Sequence, residues 1–79
     1  MTTITANTGT QPIVGRNYVI RERGPLYGIT ETNKPFSMLW HNIGKCVEIK
    51  DDKVFLEVNT KDGPIVIWFR LYVFIREFV

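Results

Sequence analysis

The second half of the chain, from Ile43 to Val79, most constrains the fold. Three apolar segments follow one another with short polar turns between them. Lys45-Cys46-Val47-Glu48-Ile49 leads to the turn Lys50-Asp51-Asp52-Lys53. Val54-Phe55-Leu56-Glu57-Val58 leads to Asn59-Thr60-Lys61-Asp62-Gly63-Pro64, and Ile65-Val66-Ile67-Trp68-Phe69 completes the set. Runs of five β-branched and aromatic residues bounded by Asp, Asn, Gly and Pro are the sequence form of an antiparallel meander. The chain is therefore expected to be all-β.

Alternation within the runs predicts their faces. Val47 and Ile49 alternate with Cys46, Glu48 and Lys50, and Val54, Leu56 and Val58 alternate with Phe55 and Glu57, giving each strand a buried and a wetter side. Ile65 to Phe69 is apolar on both sides, which suits a strand covered on both faces. Arg70-Leu71-Tyr72 reads as a one-turn break before a short final strand, Val73 to Phe78.

Upstream the signals are sparser. Residues 1–11 are Thr-rich, uncharged and poor in large apolar side chains, and read as a loose tail; residues 12–79 form the domain. Pro12 opens a first strand carried by Ile13 to Arg23. Tyr18, Ile20 and Glu22 share one face of it, and Val19, Arg21 and Arg23 the other. Gly15 marks a bulge or a close backbone approach, and Gly24-Pro25 ends the strand. Leu26 to Gly44 then forms one long folded-over loop with its tip at Thr32-Asn33-Lys34-Pro35. The segment Ser37 to His41 supplies a short strand or turn, with Ser37 as the N-cap of a single helical turn as the alternative.

Size and composition bound the rest. The 79 residues make one domain that buries about 60–65% of its unfolded surface. Aromatics are 13% of the chain, and they let a small core bury more area per residue. Cys46 is the only cysteine and His41 the only histidine, so neither an internal disulfide nor a zinc site of the usual four ligands is expected. A reducing, cytoplasmic setting follows from this cysteine usage. The N-terminus has neither a basic start nor an apolar core, so no secretory leader is expected. No apolar run approaches the ~18 residues of a membrane span. The net charge of +2 is compatible with nucleic acid without demanding it.

One strand, a long loop, three meandering strands and a short last strand after a tight break is the order of an SH3-like barrel. The stretch from Gly44 through Ile49, Val54 to Val58 and Gly63 to Leu71 resembles the core of that class. A glycine precedes the second strand, an Asp-bearing turn follows it, and an aromatic fourth strand leads into a leucine. The likeness covers about Ile13 to Val79 and implies a barrel of about five strands. The chain lacks the Ala-Leu-Tyr-Asp-Tyr type of opening, the paired tryptophans and the terminal proline-tyrosine of signalling SH3 domains, so a proline-rich ligand is not implied. In style the chain is also similar to small early proteins of bacteriophages and mobile elements.

The residues admit three kinds of site. His41 and Cys46 are the only candidates for an imidazole–thiolate pair, and no further catalytic motif accompanies them. The plainer reading puts His41 in a loop and packs Cys46 as a small apolar residue. No enzyme and no cofactor is expected. Glu48 and Glu57 are able to face each other on neighbouring strands, although the lysines around them point to a solvated face.

A nucleic-acid reading groups Arg16, Arg21, Arg23, Lys45 and Arg76 beside Tyr18, Tyr27, Phe36 and Trp40, with cations for phosphate and rings for bases. Its plainer counterpart treats Arg21/Glu22/Arg23 and Arg76/Glu77 as self-neutralising surface pairs. A protein-partner reading starts from the surplus of aromatics, with Tyr27, Phe36, Trp40, Trp68, Tyr72 and Phe74 expected to stay partly exposed. Phe74 to Val79 adds an edge strand on which a second copy could pair. The preferred expectation is a small interaction protein that modulates or inhibits a larger cellular protein. Its patch would join Tyr27, Phe36, Trp40 and His41 to Arg21, Arg23 and Arg76. DNA or RNA binding through the same residues is the alternative.

Overall fold

The structure, a computed structural model, describes residues 11–79. The tail expected at residues 1–11 lies, except for Gln11, outside the described residues. The elements are β1 (Asn17–Tyr18), β2 (Leu26–Thr30), β3 (Pro35–Met38), β4 (Gly44–Lys50), β5 (Lys53–Thr60), β6 (Gly63–Arg70) and α1 (Leu71–Glu77). The strands form one antiparallel sheet in the order β1-β4-β5-β6-β2-β3, curled into a half-barrel around the core. The all-β expectation holds, with six strands in place of about five.

The meander forms where its turns predict. Asp51 and Asp52 both take positive φ (53° and 67°), the pair required by a type I′ hairpin, and Lys50 closes the turn opposite Lys53. Aspartate tolerates this region better than most side chains. The second turn is Lys61-Asp62, with Gly63 at φ 111° and the Thr60 hydroxyl donating to the Gly63 carbonyl at 2.7 Å. Between these turns β5 and β6 pair from Lys53↔Arg70 to Thr60↔Gly63 without a slip.

β4 departs from the expected alternation. A bulge between Cys46 and Glu48 leaves Val47 without a partner on β5. Upstream of it the inward residues are Gly44 and Cys46, and Val47 is 39% exposed; downstream Ile49 lies opposite buried Val54 yet stays 42% exposed near the end of the strand. Glu48 lies opposite Phe55, and Glu57 opposite Lys45, so the two glutamates do not face each other.

The expected long loop from Leu26 to Gly44 contains a hairpin. β2 and β3 pair from Leu26↔Met38 to Ile29↔Pro35 around a tip at Glu31–Lys34. The hairpin joins the sheet through Ile29↔Trp68 and Thr30↔Ile67. Gly28 permits this closeness, since a Cβ there would sit 2.8 Å from the Phe69 Cζ. Pro35 starts the outer strand of the sheet, where its missing N–H disturbs no ladder.

The expected first strand, Ile13 to Arg23, is a strand only at Asn17–Tyr18. This strap changes partners as it runs. Gly15 donates to the Cys46 carbonyl (2.7 Å), and Cys46 donates to that of Arg16 (2.8 Å). Val19 then exchanges two bonds with Val79, and Ile20 bridges Phe78.

The expected final strand, Val73 to Phe78, is for the most part the helix α1. Leu71, Phe74 and Phe78 fall at i, i+3 and i+7, a helical stripe that turns toward the core. This burial outweighs the strand preference of Val73 and Ile75. Phe74 and Phe78 are fully buried and stack at 4.8 Å; Phe74 also meets Tyr18 edge-on at 4.9 Å, and Phe78 meets Phe69 at 5.0 Å. Phe74, expected at a surface, is thus central to the core. No free edge runs from Phe74 to Val79, because the segment is helical and then paired with the strap. Tyr18, Ile20, Met38, Cys46, Val54, Leu56, Val58, Ile67 and Phe69 complete the core.

Candidate interaction surfaces

Trp40 and His41 lie in a tight turn after β3. The Leu39 amide donates to Asn42 Oδ1 at 2.8 Å, and the Asn42 amide donates back to the Leu39 carbonyl at 2.9 Å. The Trp40 amide donates to the Arg23 carbonyl, tying this turn to the strap. The backbone under Trp40 is therefore anchored while its indole stays 60% exposed. His41 meets the indole edge-on at 5.4 Å. Trp40 forms one wall of a shallow groove completed by Ile20, Arg21, Glu22 and Arg23.

The groove brings together three of the seven expected site residues, Trp40, Arg21 and Arg23, while His41 touches it only through the Trp40 ring. Arg21 also has a structural task. Its Nε donates to the Arg76 carbonyl (3.2 Å) and its Nη2 to the Phe78 carbonyl (3.1 Å), serving acceptors that the end of α1 leaves open. Arg76 is connected to the groove only through that carbonyl, and its guanidinium pairs with Glu77 at 2.8 Å. Tyr27 is 63% exposed but does not line the groove. Phe36 packs against the core from β3, where it pairs with Gly28 of β2.

The wider basic cluster separates. Arg16 and Lys45 belong to the β1–β4 edge, while Arg21 and Arg76 lie at the end of α1. Tyr18 is buried, and its hydroxyl donates to the Gln11 carbonyl and accepts from the Ile13 amide, so it offers no stacking face. Cys46 is fully buried; desolvation pushes its thiol above the ordinary value, against a smaller opposing effect of a backbone hydrogen bond at Glu48. A suppressed thiolate is the reverse of what a nucleophile needs. Among the described residues no group of three His, Cys, Asp or Glu is placed to hold a metal ion.

A second surface is foreshadowed in the sequence reading only by the expected partial exposure of Trp68 and Tyr27, which the structure bears out. The outer face of the sheet, where β6 was expected to be covered, leaves Phe55 and Trp68 half-buried with no further element among the described residues packed over them. Phe55, Trp68 and Ile29 line up directly across β5, β6 and β2, and none of them belongs to the core. Beside this row runs a basic one, in which Lys50 faces Lys53 and Lys53 faces Arg70. Lys53 Nζ stands 4.4 Å above the Trp68 ring, and the Arg70 guanidinium 5.8 Å from it. Tyr27 lies two residues before Ile29 and on the same face. Period-2 spacing of Lys53 with Phe55, and of Trp68 with Arg70, was the available signal.

No protein-family model matches the chain, and neither does a curated protein or a solved structure. The two surfaces are thus the starting point for function. No helix among the described residues is long and apolar enough to cross a membrane.

Proposed function

We propose that the protein acts by binding rather than catalysis, as a small module that docks on a larger protein through the Trp40 groove. The exposed, anchored indole beside Arg21 and Arg23 carries this reading. Trp and Arg are the side chains most often found as interface anchors, and an indole already held by its backbone loses little freedom on binding. Trp40 enters a pocket of the partner, Arg23 pairs with acidic groups at its rim, and the bound module occludes the surface beneath. The burial of Cys46 and the exposed position of His41 support a non-catalytic role.

We read the half-barrel as SH3-like. The return of Phe78 to pair with Ile20 after a helical turn supports this. The single free, buried thiol favours a cytoplasmic setting.

The test is capture from cell lysate by the purified protein, with nuclease present and at two salt concentrations, beside Trp40→Ala. A discrete protein is expected to survive both treatments, and Trp40→Ala is expected to weaken its binding by at least about 2 kcal/mol, some thirtyfold. A capture indifferent to Trp40→Ala would remove the reading.

A further inference from the structure

We infer that the outer face of the sheet binds single-stranded nucleic acid, with Lys50, Lys53 and Arg70 on phosphates and Trp68, Phe55 and Tyr27 as stacking surfaces. The inference concerns a different face from the Trp40 groove and stands independently of it.

The register sets the arrangement. Neighbouring strands lie about 4.8 Å apart, so three cations on β4, β5 and β6 form a line about 10 Å long. An aromatic row runs parallel to it, one step along the strands, with Phe55 directly opposite Trp68. A strand of nucleic acid crossing the sheet would meet cations on one side and ring faces on the other, the combination that holds single strands regardless of sequence.

The cations are available. The only ion pair among the described residues is Arg76–Glu77, so Lys50, Lys53 and Arg70 are engaged by no carboxylate. Lys53 and Arg70 rest on the indole instead. Where solvent reaches it that contact is weak enough for a phosphate or a base to displace. The nearby carboxylates sit off the line. Glu48 ends the aromatic row at β4, Glu57 is one row further on opposite Lys45, and Asp51 and Asp52 form the turn beyond Lys50. They limit the net charge of the face and favour a single strand over the denser charge of a duplex.

The test uses a Trp40→Phe background, which leaves Trp68 as the sole indole. Oligothymidylate at low salt should quench Trp68 fluorescence. Three phosphate contacts give a log–log salt slope of about −2, so affinity should fall roughly sixteenfold between 50 and 200 mM salt. Adding Lys53→Gln and Arg70→Gln should cut affinity at least about tenfold and reduce the slope by about 1.4, with the circular dichroism spectrum unchanged. Absent quenching, or quenching equal in the charge-depleted protein, would overturn the assignment. So would polyglutamate binding as tightly as the oligonucleotide, which would give the face to an acidic protein segment. Loss of protein capture by Trp40→Ala alongside intact oligonucleotide binding would separate the two surfaces.

Discussion

The meander and the strap are held in opposite ways. β4, β5 and β6 share ladders in which each residue's bonds are repeated by its neighbours'. The strap from Gln11 to Arg23 is attached by separate points: two backbone bonds at Cys46, a two-residue strand, and then Val79, Phe78 and the Arg21 side chain. A ladder spreads the loss of any one bond, whereas a chain of single attachments does not. The strap also carries one wall of the Trp40 groove, so the less redundant region positions that surface, while the outer face rests on the ladder.

Phe74 links the two regions, touching Tyr18 of the strap and Phe78, which in turn meets Phe69 of β6. Phe74→Ala should have the largest effect, about 3–5 kcal/mol in a domain whose whole stability is about 5–15 kcal/mol. Urea unfolding followed by circular dichroism and by fluorescence should show one coincident, lowered midpoint; separate midpoints would mean that strap and meander unfold apart. Gly28→Ala disturbs only the sheet side, where the new Cβ meets the Phe69 ring. Its cost should be about 1–3 kcal/mol, read as a lowered urea midpoint at unchanged slope, with the groove unchanged. Arg21→Ala disturbs only the strap. Two exposed or half-buried bonds to carbonyls are worth about 1 kcal/mol in total. The clearer sign should be faster labelling of Cys46 by a thiol reagent, since the strap covers that residue, with little change in amide exchange at Ile67. Equal acceleration at both sites would mean that the strap does not open on its own.

The same contrast explains what was legible in the sequence. β5 and β6 could be read because their turns carry Asp-Asp and Asp-Gly and their alternation is unbroken. The hairpin of β2 and β3 was hidden, because Gly28 and Pro35 look like breakers until Phe69 and the sheet edge give them reasons. α1 was hidden by Val73 and Ile75, whose strand preference masks the spacing of Leu71, Phe74 and Phe78. The strap is set by distant partners that no local pattern announces. For the sites, the exposure of Trp40, Tyr27 and His41 was readable from loop aromatics. The inward turn of Phe36 depends on β3 pairing with β2, and the uncovered outer face depends on no further element among the described residues packing over Trp68. Neither is a property of a single segment.

Val47 is the one residue of β4 that β5 does not pair. Were it deleted, Cys46, Glu48, Ile49 and Lys50 would still alternate in and out against the same partners. What would disappear is the added coil that a bulge gives its strand. Val47 therefore contributes shape rather than adhesion: a shortened chain would keep its pairings yet draw a flatter sheet, and the half-barrel would stand wider at its mouth.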